Sequence, residues 1–453
     1  MRFIAINQPF VDEWSWRQSD VAAIARNYFT GGFHFARPQI DWAGEQPGFV
    51  GTEFPILPFV AALAYKIFGV HEWIGRGESA LLFAASLPFF FLLIREIFGG
   101  TAASYALLFY SFAPLSVMTS RCFIPDMPSL SLSIIGLHFF QRWRANGRST
   151  SYFAAAALIS LSILIKAPSA IIGAPLAVTA VYDRRHFSRL FLFALIALLP
   201  AAIWYGHAWQ ISQEFYPHHF FGAGGFRIEN LSRYLEIVRR LFTSSLTPIL
   251  FVLGIAGAIT ARSTTNSRVL YAWLAAVILF IIIVGYGNRH PWYQLPLVPI
   301  AAGFAGAFCA RKMSRRVFAV LAIVFVIWSM FQTRLLYHES AAELRAAGLE
   351  LKRTTPPNAL IVAPDYGDPT IFYYAERRGW HFLERDATYY GHPTTDADAI
   401  VDLDQLRGRG ATHLIFYSKT FWWLELYKDF AHHVNEIATP VESNEQFRIY
   451  KLN

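Results

Sequence analysis

Charge is scarce in this 453-residue sequence. Only 15% of its residues are Asp, Glu, Lys or Arg, against about 25% in an ordinary soluble domain. With 55% hydrophobic and 17% aromatic residues, that deficit argues against a soluble enzyme. Cysteine is nearly absent: Cys122 and Cys309 are the two in the chain, both in or beside apolar stretches, so neither a disulfide framework nor a cysteine metal site is supported. The sequence holds no Walker loop and no Gly-x-Gly-x-x-Gly ahead of a helix, which disfavours ATP-driven transport by this chain alone. His71, His138, His207, His218 and His219 show no His-Glu-x-x-His spacing, so no zinc protease is implied. The net charge of +8 sits in short clusters between apolar runs rather than on one face. It marks membrane orientation and no nucleic-acid partner.

What the sequence has in quantity is apolar length. Ten stretches, near 78–95, 102–120, 127–143, 152–167, 168–182, 189–209, 243–260, 269–286, 293–309 and 316–333, approach the ~20 residues that cross a bilayer. Every second connecting loop is basic: Arg95; Arg142, Arg144 and Arg148; Arg184, Arg185 and Arg189; Arg262 and Arg268; Arg311, Lys312, Arg315 and Arg316. Those loops face the cytoplasm. The alternate loops and both termini then face outward. Phe54 to Phe68 would reverse this alternation if it crossed, so it reads as a helix lying along the outer interface, with a true span as the other reading. Met1 to Phe10 lacks the features of a signal peptide, and a transmembrane helix is expected to precede this chain. Three regions follow: an outer-face first loop over 1–77, a transmembrane domain over 78–335, and an extracytoplasmic α/β domain over 336–453. In the last, Ala359–Ala363, Thr412–Tyr417 and Phe447–Leu452 read as strands, and Ser340–Leu351 and Phe421–His432 as helices.

The outer loops concentrate charge that packing does not require. Asp12, Glu13, Arg17 and Asp20 share nine residues with Trp14 and Trp16, a set able to supply a general base and a cation for an anionic ligand. Asp20 also stands where it or Ser19 could cap a helix over Val21–Phe29. Asp126, between Pro125 and Pro128, is held rigidly at the mouth of a span, or caps the helix that follows. Glu53, Arg76, Arg121, His290 and Tyr293 add outer polar groups. Lys166 interrupts thirty apolar residues, a depth at which an ionisable group is usually functional, although snorkelling to the interface is the alternative. A divalent metal ion on Glu53, Asp126 or a loop histidine is left open. Asp365, Tyr366, Asp368, Tyr373 and Tyr374 could touch an acceptor sugar, and turn chemistry and packing account for them equally well.

Taken in order, the acidic first loop, Thr52-Glu53-Phe54-Pro55 before the interfacial helix ending Phe68-Gly69, Arg76, Asp126-Met127-Pro128, Lys166-Ala167-Pro168 and His290-Pro291-Trp292-Tyr293-Gln294-Leu295-Pro296 resemble the GT-C glycosyltransferases of the protein O-mannosyltransferase and lipid A aminoarabinose transferase superfamily. The resemblance covers the whole membrane part. It implies an α-helical polytopic protein with a small C-terminal α/β domain, which transfers a sugar from a polyprenyl-phosphate donor to a glycan, lipid or protein acceptor at the outer face of the bilayer. A first-loop carboxylate, Asp20 or Glu13, would be the base, with Asp126 and Glu53 positioning the acceptor and Arg17, Arg76, Arg121 and Lys166 meeting the lipid phosphate. Two departures stand out: Arg17-Gln18 occupies the place of the family's Asp-Glu pair, and Phe54 replaces a lysine that some relatives have. A secondary transporter or flippase and a noncatalytic assembly subunit are the rival readings.

Overall fold

A computed structural model describes all residues except 183–186, 221–224, 262–265, 386–387 and 390; Arg184, Arg185 and Arg262 of the basic loops lie outside the described residues. The chain divides into two compact units. One comprises Met1–Ile6, Arg76–Gly206 and Gly222–Arg334, the other Asn7–Gly75, His207–Phe221 and Leu335–Asn453.

All ten apolar stretches fall on helical segments. In chain order, after α1 (Ser15–Gly31) and α2 (Ile56–Phe68), these are α3 (Glu72–Phe98), α4 (Gly100–Phe112) with α5 (Pro114–Arg121), α6 (Asp126–Asn146), α7 (Ser149–Ile165), a 3-10 segment (Ala167–Ile172) continued by α8 (Gly173–Tyr182), and α9 (Phe187–Glu214). After α10 (Leu231–Arg240) come a π-turn (Leu241–Ser245) leading into α11 (Thr247–Thr260), then α12 (Arg268–Ile283), α13 (Leu297–Lys312) and α14 (Arg315–Gln332). Among the described residues, three helices are long and apolar enough to cross a membrane, or up to five when the two bent pairs are each counted as one span. Those bends are 57° between α4 and α5, and 112° between Leu231–Ser245 and α11. Proline explains their positions: Pro114 and Pro248 open the second helix of each pair, where a missing N–H costs nothing but the preceding residue is steered out of the helical region. Small residues let these helices touch. A Cβ on Gly257 would stand 2.1 Å from the Phe304 carbonyl oxygen, and one on Gly306 2.4 Å from that of Ala102, so α13 meets α11 and α4 backbone to backbone.

In the other unit, α1 lies on α2 and on α16 (Thr370–Ala375). Ser15 donates to Asp368 at 2.7 Å, Ser19 pairs with Thr370 at 2.9 Å, and Arg26 reaches both Asp41 and the Tyr373 carbonyl. α2 buries Leu57, Ala61, Ala62 and Tyr65 on one side and leaves Val60, Leu63, Ile67 and Phe68 bare on the other.

The five-stranded sheet of this unit runs β2 (Arg378–His381), β1 (Leu360–Ala363), β5 (His413–Tyr417), β7 (Phe447–Leu452), β6 (Ala438–Ser443). The β1 pairings are parallel and the β5–β7 and β6–β7 pairings antiparallel; β3 (Glu384–Arg385) and β4 (Thr388–Tyr389) form a separate pair. Alternation of side chains gives each strand two faces. Ile361, Ile415 and Ile449 pack with Leu344 and Leu351 of α15 (Ala342–Thr354), whereas Val362, Leu414 and Phe416 pack on the opposite face with Leu403 of α17 (Asp396–Gly408), Trp423 and Phe430. Strands covered on both faces read as continuous apolar runs, as β5 does.

Candidate active site

α1 begins at Ser15, six residues before the expected Val21, with no side-chain cap at Trp14. Asp20 is therefore inside the helix and caps nothing. Its place one turn after Arg17 puts both on one face. Arg17 Nη1 lies 3.4 Å from Asp20 Oδ2, and Arg17 Nη2 donates to Glu53 Oε1 at 2.7 Å. Thr52 Oγ1 donates to the other Glu53 oxygen at 2.9 Å. Trp42 Nε1 donates to Asp20 Oδ1 at 3.1 Å. The Trp42 ring meets two imidazoles, His219 edge-on at 5.6 Å and His381 tilted at 5.1 Å between centroids.

His219 reaches this cluster because its segment is stitched to the Glu53 loop: Gly51 N–H donates to the His219 carbonyl at 3.0 Å. A Cβ on Gly51 would lie 2.1 Å from the Ala208 carbonyl oxygen, so only glycine allows the approach. Crowding by protein lowers the His219 pKa; Asp20 and Glu53 oppose that shift and Arg17 reinforces it. Two carboxylates, one guanidinium, an indole N–H and a neutral imidazole thus meet in one unit. Such a group can take a proton from a hydroxyl and hold the hydroxyl in place.

The remaining first-loop carboxylates are placed differently. Asp12 is buried and accepts from Gln18 Nε2 at 2.9 Å, while Glu13 is exposed. In the membrane unit Asp126 is the first residue of α6, and Pro125, not Asp126, is its cap. Lys166 ends α7, where the backbone turns extended before Pro168, and its Nζ lies 3.0 Å from Asp126 Oδ1 and 4.9 Å from the Tyr293 ring centre. The two line a cavity of about 30 Å³ with Ser133, Ser169, Trp292 and Tyr293, room for about one water. His290 stacks on Trp292 at 4.6 Å. Arg76 donates to the Ile6 carbonyl at 3.1 Å, and Arg121 to that of Ala5 at 2.8 Å; both hold the N-terminal turn. Among the described residues no three His, Cys, Asp or Glu side chains converge as metal ligands.

The C-terminal candidates mostly face protein. Asp365 accepts from His381, Asp368 accepts from Ser15 and the Thr370 N–H, and Tyr374 donates to Glu72 at 3.0 Å. Tyr366 is the one of the five that is exposed. Trp42, His219 and His381 belong to the cluster without any motif that announces them; their distance from Asp20 along the chain conceals the contact.

The model of the dolichyl-phosphate-mannose-protein mannosyltransferase family matches residues 48–205, which include Glu53, Asp126 and Lys166. ArnT from Cupriavidus metallidurans in its apo state superposes with a TM-score of 0.69 at 16% identity, over 99% of this chain and 95% of that one. The chain has the GT-C fold. Its similarity extends to the same ArnT bound to undecaprenyl phosphate, with a TM-score of 0.68 at 15% identity and the same coverage. The apo oligosaccharyltransferase of Archaeoglobus fulgidus gives 0.61 at 12% identity, over 94% of this chain and 69% of that one. No curated protein matches the sequence. With these relatives and its long apolar helices, this GT-C chain is a multi-pass membrane protein.

Proposed function

We propose that this protein is an integral-membrane glycosyltransferase that moves a sugar from a polyprenyl-phosphate donor to an acceptor hydroxyl on the outer face of the membrane. The observation that carries the reading is the Arg17–Asp20–Glu53 cluster in a chain of GT-C fold. A solved relative of that fold holds undecaprenyl phosphate, which supports a lipid-linked donor. Asp20 is preferred to Glu13 as base because it shares Arg17 with Glu53, whereas Glu13 is exposed.

Asp20 takes the proton of the acceptor hydroxyl, whose oxygen attacks the anomeric carbon as the bond to the donor phosphate oxygen breaks. The displacement is single and inverts the anomeric centre. Polyprenyl phosphate leaves with the electron pair, and a fixed cation where that charge develops lowers the barrier. Lys166 takes this role first among Arg76, Arg121 and Lys166, with Asp126 holding its ammonium in place and His290 and Tyr293 contacting substrate. Glu53 orients the acceptor through Arg17. In this reading the protein sits in the plasma membrane with its C-terminal α/β domain, over 336–453, on the extracytoplasmic side.

Membranes carrying the protein, given a panel of radiolabelled polyprenyl-phosphate sugars, should transfer label from one of them. Asp20→Asn should lower transfer by about 100-fold. Full transfer by both Asp20→Asn and Glu13→Gln would remove the base assignment.

A further inference from the structure

The most unusual polar contact away from Asp20 itself is the one between His381, at the end of β2, and Asp365, just after β1. His381 Nδ1 lies 2.8 Å from each Asp365 oxygen, and both side chains are buried. A fully buried carboxylate needs a counter-charge or donors, and here the imidazole and the Gly367 N–H, at 2.9 Å, supply them. Nothing in the packing of a small α/β sheet calls for an ionisable pair at that position. The His381 ring meets Phe372, Tyr389 and, nearest of the three at 5.1 Å between centroids, Trp42, whose N–H ends on Asp20.

We infer that His381, held by Asp365, is a positioning residue that acts through Trp42 on the carboxylate of Asp20. The inference rests on Asp20 being the base. The argument is geometric first. Trp42 is half-buried, fixed between His219 and His381, and its only ring N–H is committed to Asp20 Oδ1. Fixing the indole therefore fixes one oxygen of Asp20, and leaves Oδ2 beside Arg17. An imidazolium at 5.1 Å draws the π-density of the indole toward itself, which stabilises the tilted contact and makes the N–H a stronger donor to an anion.

Among the described residues, the charged and titratable groups around His381 are Asp365, Glu384 and Asp20, with Tyr389 at its edge and Arg409 bound in turn to Glu384. Burial works against the imidazolium, but Asp365, seconded by Glu384 and Asp20, outweighs it and holds His381 above the usual histidine range. The imidazolium is therefore favoured relative to an ordinary histidine, and is lost as pH rises through that raised value.

The test uses the full chain in membranes or detergent. Trp42→Phe keeps the ring and removes the N–H; His381→Asn keeps a donor for Asp365 and removes the charge. Each should lower kcat about tenfold, the worth of one hydrogen bond, with the donor KM unchanged, and the double variant should be no worse than Trp42→Phe. Wild-type kcat should fall as pH rises through the His381 titration, and this limb should vanish in both single variants. The Trp42 emission, taken as wild type minus Trp42→Phe, should titrate over the same range, with His219→Gln leaving that titration in place and His381→Asn abolishing it. Additive losses in the double variant, an alkaline limb that survives His381→Asn, or an emission titration with no matching change in kcat would each overturn the inference. Full transfer by Asp20→Asn would instead remove the base assignment beneath it, while the emission titration would still report the His381–Trp42 contact.

Discussion

Lys166 and Asp126 form a buried ion pair, 3.0 Å from Nζ to Oδ1, with each side chain under 10% exposed. Removing one partner leaves an uncompensated charge away from water, which costs about 3–5 kcal/mol, whereas replacing both by apolar groups costs far less. Lys166→Met should therefore lower thermal stability in detergent sharply, and Asp126→Leu with Lys166→Met should recover most of it. Transfer should stay lost in the double variant, since the cation is gone; a double variant with wild-type transfer would end the role given to Lys166.

Arg17 is the shared partner of Asp20 and Glu53. Without it the two carboxylates repel, and each keeps only hydrogen-bond partners that carry no charge to offset the other, such as Trp42 on Asp20 and Thr52 on Glu53. Arg17→Gln should lower kcat/KM by about 100-fold, and Arg17→Lys should recover only part, because an ammonium cannot reach two carboxylates as a planar guanidinium does. Steady-state kinetics on the labelled donor separates these outcomes.

Gly257 has no room for a side chain, since a Cβ would meet the backbone of Phe304 at 2.1 Å. Gly257→Leu must push α11 off α13, a cost of about 1–3 kcal/mol or more. The expected result is a lower melting temperature and a smaller yield of folded protein in detergent, with Gly206→Ala, in open space and without a positive φ, as the control for handling.

His413, buried in β5, is held below the usual histidine range by burial, with Lys451 and Arg377 adding to the shift. The folded state thus prefers the neutral ring. Its contribution to stability is complete above about pH 6.5, the ordinary histidine value, and is lost as pH falls through the depressed value. Thermal unfolding followed at pH 7.5 and pH 5 should show this loss in the wild type and a smaller one in His413→Gln.

The apolar runs were legible because helix formation in a bilayer leaves a dense local record: each of the ten falls on helical segments. What the record does not contain is where a helix bends: Pro114 lies inside one apolar run and Pro248 near the start of another, and neither announces an angle. Asp126 and Lys166 each stood out alone as ionisable groups in apolar surroundings, but nothing forty residues apart announces a pair. The start of α1 was misplaced because Ser19-Asp20 looks like a cap and the true start at Ser15 has none. β2, Arg378-Gly-Trp-His, escaped notice for lack of alternation; its glycine is demanded by the Ile361 backbone, which a Cβ would strike at 1.9 Å. His381 at its end could not be tied to Asp20 from sequence, because strand pairing alone brings it there.

The unit that holds Asp20 is assembled from three pieces of chain, Asn7–Gly75, His207–Phe221 and Leu335–Asn453. A ribosome delivers them in that order, with more than a hundred residues of membrane helix made between each. Until the third piece emerges, Ser15, Ser19 and Arg26 of α1 have no Asp368, Thr370 or Tyr373 carbonyl to bond. Nascent protein therefore carries α1 without these partners through most of synthesis, and of the groups around Asp20 it is His381 that arrives last, with the sheet. A chain halted near residue 335 would hold the apolar helices and still lack every partner that the last piece brings to α1.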